Sequence, residues 1–219
     1  MFLHTHPYPP FVFPDTEKLI VGTLPPPRFT TGELKEGDVH FCYGSRDGQL
    51  WPILDRIFGL DLEYADTAWA VDQRQYFLRS RKIGVCDIVG EARRKKIDAT
   101  DLGMQEVEMR DLIGVLNQYE KVHQLLLTGG NSKNGPEYFL RRLLKQEGID
   151  LEAIVENVPR QYRFQLPKST RWIKTVSLTA PSGSANRAVG SMALYKEKKK
   201  QDPSYTTLDF RVDQYRPFF

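Results

Sequence analysis

Short apolar runs alternating with amphipathic stretches predict an α/β fold with a mostly parallel central sheet. Two further features support that class. The runs are nearly continuous in apolar residues, as strands covered on both faces require, and they end in glycine, proline or small polar residues. The first run, residues 18–22 (KLIVG), is followed by Thr23-Leu24-Pro25-Pro26-Pro27 and reads as a buried strand leading into a loop. Equivalent runs follow at 82–89, 122–130, 151–158 and 172–180. Helical patterns lie between and after them, at 50–58, 72–80, 107–119, 135–147 and 186–200. In the third of these, Met109, Leu112, Ile113, Leu116 and Tyr119 recur at helical spacing, so one stripe should face a core. Alternation of this kind implies right-handed crossovers between parallel strands.

At 219 residues the chain suits one domain. No repeat and no Gly/Ser-rich linker divides it, so the expected domain is 1–219, with a core at about 18–200. The tail, 201–219, alternates apolar and polar residues, is rich in aromatics and is expected to pack back. Two cysteines, Cys42 and Cys86, without metal-ligand spacing point to a reducing cytoplasm and to neither a disulfide framework nor structural zinc. The opening MFLHTHPYPPFVFP lacks the pattern of a secretory leader, and no apolar stretch is long enough to span a bilayer, so a soluble cytoplasmic protein without membrane contact is expected. His4 and His6 are too few for a closed metal site, and His123, before the run 125–127, reads as structural. The net charge of +3 permits phosphate contact without demanding it. No G-x-G-x-x-G follows a strand, which argues against a dinucleotide cofactor; neither cofactor nor metal is expected.

Open sheets bind ligands beyond the carboxyl ends of their strands. That rule selects the loops 22–29, 87–94, 128–135 and 179–188. The first reads GTLPPPRF and is followed downstream by FCYGSRDGQLWPIL (41–54); the last reads LTAPSGSAN (178–186). Between them lie KIGVCDIVGEARRKKIDATDL (82–102) and LLLTGGNSKNGPEYF (125–139). In this order the four segments resemble the uracil-DNA glycosylase superfamily: its first active-site motif with the partner loop, its base-recognising segment, the next strand and helix, and its Pro-Ser turn that presses on DNA. In look the chain is nearest to the mismatch-specific uracil and hypoxanthine-DNA glycosylases, while its N-terminal segment suggests a distinct, atypical branch.

The resemblance implies a single three-layer α/β/α, uracil-DNA glycosylase-like domain that flips a nucleotide from damaged or mismatched DNA, with no obligatory protein partner. Its expected activity is hydrolysis of the N-glycosidic bond of a deaminated base, uracil or hypoxanthine, in base-excision repair. It also exposes a departure. Many members carry Asn, Asp or Glu where this chain has Leu24, and histidine where it has Ala180. Asp87, at the end of a strand, is the first replacement candidate for catalysis, since it can accept a ring N–H; its bland alternative is a cap on the segment that follows. Asp47 is the second, though Asp-Gly is equally a turn signal; Gln49 shares that stretch. Gly22, Thr23, Leu24, Pro25, Phe29, Tyr43 and Asn131 are expected to line the base pocket, with Phe29, Tyr43 or Phe41 stacking on the base. Ser182, Gly183, Ser184, Asn186, Arg187, Arg93 and Lys133 are expected against DNA, with Arg28, Arg46 and Arg94 as further cations. A family member that binds a nucleobase or damaged DNA without cleaving it is the first alternative, and a hydrolase of free nucleosides the second. Cations clustered on the loop edge favour DNA over a free nucleoside.

Overall fold

The computed structural model describes all residues, 1–219. Its elements in chain order are β1 (Phe2–Thr5), β2 (Lys18–Val21), α1 (Arg28–Thr31), α2 (Leu50–Phe58), α3 (Ala68–Ser80), β3 (Ile83–Val85), β4 (Val89–Arg94), β5 (Met104–Met109), α4 (Leu112–Gln118), β6 (Gln124–Leu127), α5 (Pro136–Gln146), β7 (Glu152–Val155), β8 (Arg160–Gln165), β9 (Trp172–Ser177), α6 (Asn186–Ser191), α7 (Ala193–Gln201) and α8 (Thr207–Tyr215). Six strands form the main sheet in the order β3-β2-β6-β9-β8-β7, in which β3, β2, β6 and β9 are mutually parallel and β8 runs antiparallel to both neighbours. The fold is therefore α/β with a central, mostly parallel sheet flanked by helices. No helix is long and apolar enough to cross a membrane.

Alternate residues of the parallel strands feed two cores. Leu19, Val21, Leu125 and Leu127 pack with Leu112, Leu116, Phe139 and Leu140 of α4 and α5. Ile20, Leu126 and Val176 pack on the other face with Trp51, Ile53 and Leu54 of α2, Phe77 of α3, and Val212 and Tyr215 of α8. Local chemistry starts and stops these helices where the packing needs them. Thr67 accepts the Ala70 amide at 3.1 Å ahead of α3, Asp111 accepts that of Gly114 at 2.7 Å ahead of α4, and Gly59 ends α2 at φ +63°.

Several sequence expectations change here. The run 82–89 is not one strand: it breaks at Cys86–Ile88, and the chain continues into β4 of a second, antiparallel sheet, β1-β4-β5. The helix expected at 107–119 begins only at Leu112. Val107 and Met109 belong to β5 but lean on the same core as Ile113, so a strand and a helix sharing one core produced a single apparent stripe. The run 151–158 is not a covered central strand; β7 is an exposed edge, because the polar-looking β8, absent from the sequence reading, pairs between it and β9. The helix at 186–200 is two, divided at Met192, whose ψ of 133° is extended. The alternating tail is helical: Thr206 and Asp209 form a reciprocal capping box at the start of α8. His123 is exposed, and Cys42 and Cys86 are buried free thiols.

Arg211 of α8 is fully buried and holds the 180–186 loop, its Nε donating to the Ala180 carbonyl at 2.9 Å, Nη2 to the Ser182 carbonyl at 3.0 Å and Nη1 to Asn186 Oδ1 at 2.9 Å. Arg211→Ala strands these acceptors. The expected loss is about 3 kcal/mol, a fall of roughly 6–12 °C in thermal unfolding, measured by circular dichroism.

Candidate active site at the switch point of the sheet

From β2 the chain passes first to β3 on one side and later to β6 on the other, so the C-terminal ends of β2 and β6 bound a topological switch point. Gly22 follows β2 and Thr128 follows β6. Asp87, in the break after β3, is 6% exposed and reaches the same place. Its Oδ1 accepts the Gly22 amide at 2.6 Å and the Tyr43 hydroxyl at 2.7 Å, and its Oδ2 accepts His6 Nε2 at 2.9 Å. The histidine tautomer follows from its other nitrogen, since Nδ1 accepts the Tyr8 amide at 3.2 Å and the ring proton must therefore sit on Nε2. Tyr43 spends its one proton on Asp87, so the Thr128 hydroxyl, 3.1 Å away, donates to the phenol oxygen. Burial, and then the Asp87 charge, push the Tyr43 hydroxyl well above the usual phenol range and keep it protonated.

Gly22 is needed by contact rather than by backbone angle. A Cβ there would lie 2.3 Å from the Tyr43 oxygen and 2.9 Å from both Asp87 Oδ1 and Thr128 Oγ1. Tyr43 itself sits at φ +58°, a left-handed conformation uncommon for an aromatic residue. Its loop is anchored by Asp38, a buried acid that the sequence reading passed over. Asp38 takes a bidentate contact from Arg28 at 2.7 and 2.8 Å and the amides of Lys35 and Arg46 at 2.9 and 2.8 Å. Burial opposes its charge, but Arg28 and the two amides outweigh burial and hold its pKa at about 2. On the far side the loop meets the 180–186 turn, where Gly48 bridges Ser182 and the Gln49 amide donates to the Pro181 carbonyl at 2.8 Å.

The structure thus brings Asp87, Gly22, Tyr43 and Thr128 together, and it adds His6 and Thr128 to the residues expected there. It places others differently. Phe29 is buried against Tyr8, Phe41 packs on Phe11 and Trp51, and the Tyr43 ring points its hydroxyl inward, so none of the three presents a free stacking face in this conformation. Asp87 caps no helix, because a strand follows it. Asp47 is on the outside of the loop, its side chain 67% exposed and 3.2 Å from Arg28. Thr23 donates to Asp101 at 2.8 Å, and Leu24 leans on the core. Asn131 and Lys133 are exposed; the neighbouring Asn134 is the buried one, donating to the carbonyls of Asp101 and Met104. Ser182 bonds Ser184 at 2.9 Å, Gly183 and Arg187 are exposed, and Asn186 is held by Arg211 and Thr207. Arg28 is committed to Asp38, Arg93 pairs with Glu106 at 3.0 Å, and Arg94 is buried. Two surface hollows, of about 300 and 590 Å³, lie at the C-terminal ends of α5 and α2, away from this crevice.

No protein-family model matches the sequence, and no curated protein matches it. Among solved structures, it is similar to the solution NMR structure of a Methanosarcina acetivorans protein provisionally assigned as a uracil DNA glycosylase, with a TM-score of 0.54 and 17% identity. The match covers 97% of this chain and 99% of that one. The two chains share a fold. At that identity the likeness concerns architecture alone.

The signal that could have revealed His6 is faint: alternation in FLHTH puts His4 and His6 on one face of a strand, and both are buried. His4 Nδ1 accepts Arg94 Nε at 2.8 Å, and burial, followed by the Arg94 charge, pulls its pKa from 6.5 to about 4. The unfolded chain therefore binds a proton that the folded chain refuses between those values, and this contribution to stability, complete above pH 6.5, falls away as pH drops towards 4. His4→Gln should flatten unfolding free energy across that window in urea titrations. Gly22→Ala, by expelling the Tyr43 hydroxyl, is expected to cost on the order of 2 kcal/mol in the same assay.

Proposed function

We propose that this protein is a DNA glycosylase that holds a deaminated base, uracil or hypoxanthine, flipped out of DNA and hydrolyses its N-glycosidic bond in base-excision repair, the whole chain 1–219 acting as one domain in the cytoplasm. The observation that carries this reading is the buried Asp87 carboxylate at the switch point, engaged by the protonated hydroxyl of a six-membered aromatic ring. Uracil and hypoxanthine are flat rings with a polar N–H, and that N–H can give Asp87 the hydrogen bond Tyr43 now gives. Entry of a base then exchanges one donor for another, with no buried charge left unpaired at either stage.

His6 holds Asp87 from behind, and the Gly22 amide fixes its other oxygen. In the reaction the C1′–N bond breaks with its electron pair passing to the base, and water adds to C1′ while a proton from it ends on the base or solvent. A carboxylate near the sugar stabilises the cationic transition state. Asp47 is the proposed source, on the exposed side of the same loop as Tyr43. Lys133, Arg187 and the 182–186 turn, with Arg93, are the proposed contacts to DNA, Asn131 lies beside them, and Thr23, Leu24, Pro25 and Phe29 complete the pocket wall.

A second reading, a protein that binds a base or damaged DNA without cleaving it, is favoured by a specific feature. Leu24 and Ala180 put no polar side chain where related enzymes place theirs, and Asp87 already accepts three hydrogen bonds.

Single-turnover assays with excess enzyme on duplexes containing uracil, hypoxanthine or xanthine separate the two. Alkali-labile product is expected on at least one substrate, with a loss of about 100-fold or more in Asp87→Ala and in Asp47→Ala. Binding without product on every substrate selects the second reading, and absence of DNA binding removes both. Tyr43→Phe gives a further check, because removing the hydroxyl that competes for Asp87 should tighten binding of a base-containing duplex on the order of tenfold in fluorescence anisotropy.

A further inference from the structure

Residues 147–158, EGIDLEAIVENV, carry four acids and no lysine, arginine or histidine, in a chain whose net charge is +3. β7 lies in that stretch. It is the end strand of the main sheet, paired to β8 alone, and all four of its residues are exposed. Ile154 is 49% exposed, Val155 37% and Val158, just beyond the strand, 50%. No residue from 150 to 158 makes a backbone hydrogen bond outside the β7–β8 ladder, so the outward N–H and C=O groups of the strand meet only solvent.

On its inner side the strand is tied to the sheet. Glu152 accepts Arg163 Nε of β8 at 2.8 Å, and the same guanidinium lies 4.3 Å from the centre of the Trp172 ring of β9. A hollow of about 300 Å³ opens where β7 begins, lined by Leu144, Ile149 and Leu151 together with Arg141, Lys145 and Asp150. Arg141 is committed to Glu137.

An open strand edge is a template for another strand, and strand addition draws affinity from main-chain hydrogen bonds and specificity from side-chain pockets. Charge selects the occupant. A second copy of the chain is disfavoured, because the antiparallel register that sets Ile154 against its own counterpart also sets Glu152 opposite Glu156, and like charges directly opposite destabilise a pair. The phosphates of DNA are repelled by the same acids. The bulge between Ala153 and Val155 limits regular pairing to a few residues, so a partner strand also needs its charges and the hollow.

We propose that β7 is a docking edge for a partner protein, which adds an extended segment rich in lysine or arginine and seats one apolar side chain in the hollow beside Leu144, Ile149 and Leu151. β9 and β8 separate β7 from β6 and the crevice, so the edge and the crevice can be occupied together. The proposal does not depend on the glycosylase reading.

The test uses the full chain and a short capped peptide of alternating lysine and valine with one central leucine, followed by amide hydrogen exchange and chemical-shift mapping. Saturable binding is expected, with slowed exchange confined to residues 150–156. Glu152→Lys/Glu156→Lys should weaken the peptide about tenfold and leave thermal unfolding nearly unchanged, since both side chains are exposed. Methylating alternate peptide nitrogens, which removes strand donors and keeps the charges, should abolish the slowed exchange, and serine in place of the central leucine should weaken binding severalfold. Equal binding of the methylated peptide, or of a version with glutamate for lysine, overturns strand addition by a basic partner, as does the absence of any change at 150–156. A concentration-dependent dimer in sedimentation equilibrium that Ile154→Lys dissociates assigns the edge to a second copy and overturns the proposal as well. Neither result touches the glycosylase assay, which reads the crevice.

Discussion

A carboxylate taken out of water must find donors within the fold, and Asp87 finds three, from segments 44, 65 and 81 residues away in sequence. The Gly22 amide comes from the loop beyond β2, the Tyr43 hydroxyl from the loop ahead of α2, and the His6 imidazole from the N-terminal segment beyond β1. Charge-assisted hydrogen bonds of this kind are about twice as strong as neutral ones, and a buried charge left with a partner missing is costly. Asp87 therefore acts as a clasp. It joins the second sheet, the Tyr43 loop and the main sheet at the point where a ligand would enter.

The sheet order makes that point available. With β3 and β6 on opposite sides of β2, the loops leaving β2 and β6 diverge, and the gap between them needs a cover. The Tyr43 loop supplies one, pinned at one end by Asp38 and Arg28 and at the other by the contact of Gly48 and Gln49 with the 181–182 turn. Arg211 holds that turn from behind, so α8 contributes to the geometry of the crevice although it lies last in sequence. Buried polar atoms near this cover, Gln49 Oε1, Tyr8 Oη and Thr179 Oγ1, have no protein partner, as is also true of Arg74 Nε and Thr175 Oγ1 elsewhere in the fold.

Tyr43 gives the crevice its present state. Its phenol occupies the space above Gly22 and satisfies Asp87, so the arrangement is closed and its buried carboxylate is paired. The left-handed backbone at Tyr43 is the kind of strain that persists when surrounding contacts over-determine it, here the hydrogen bonds of its hydroxyl and the tight turn at Gly44.

The sequence by itself determined the parallel half of the fold and the loops that matter. Short apolar runs closed by glycine or small polar residues made β2, β6 and β9 legible as strands, and the length and periodicity of α2 and α5 left little ambiguity. Strand ends and the crevice rule were enough to put Gly22 and Asp87 in neighbouring loops, whereas Tyr43 entered through the resemblance carried by residues 41–54. What only the tertiary structure decided depends on partners distant in sequence. The strands β1, β4 and β5 of the small sheet, and β8 inside the main sheet beside its edge strand β7, carry charged and polar residues on partly solvated faces, and their local signal is weak. His6 and Asp38 became visible only once the chain placed a carboxylate and a guanidinium beside them. The roles of Phe29 and Tyr43 turned on side-chain direction, which no spacing along the chain encodes.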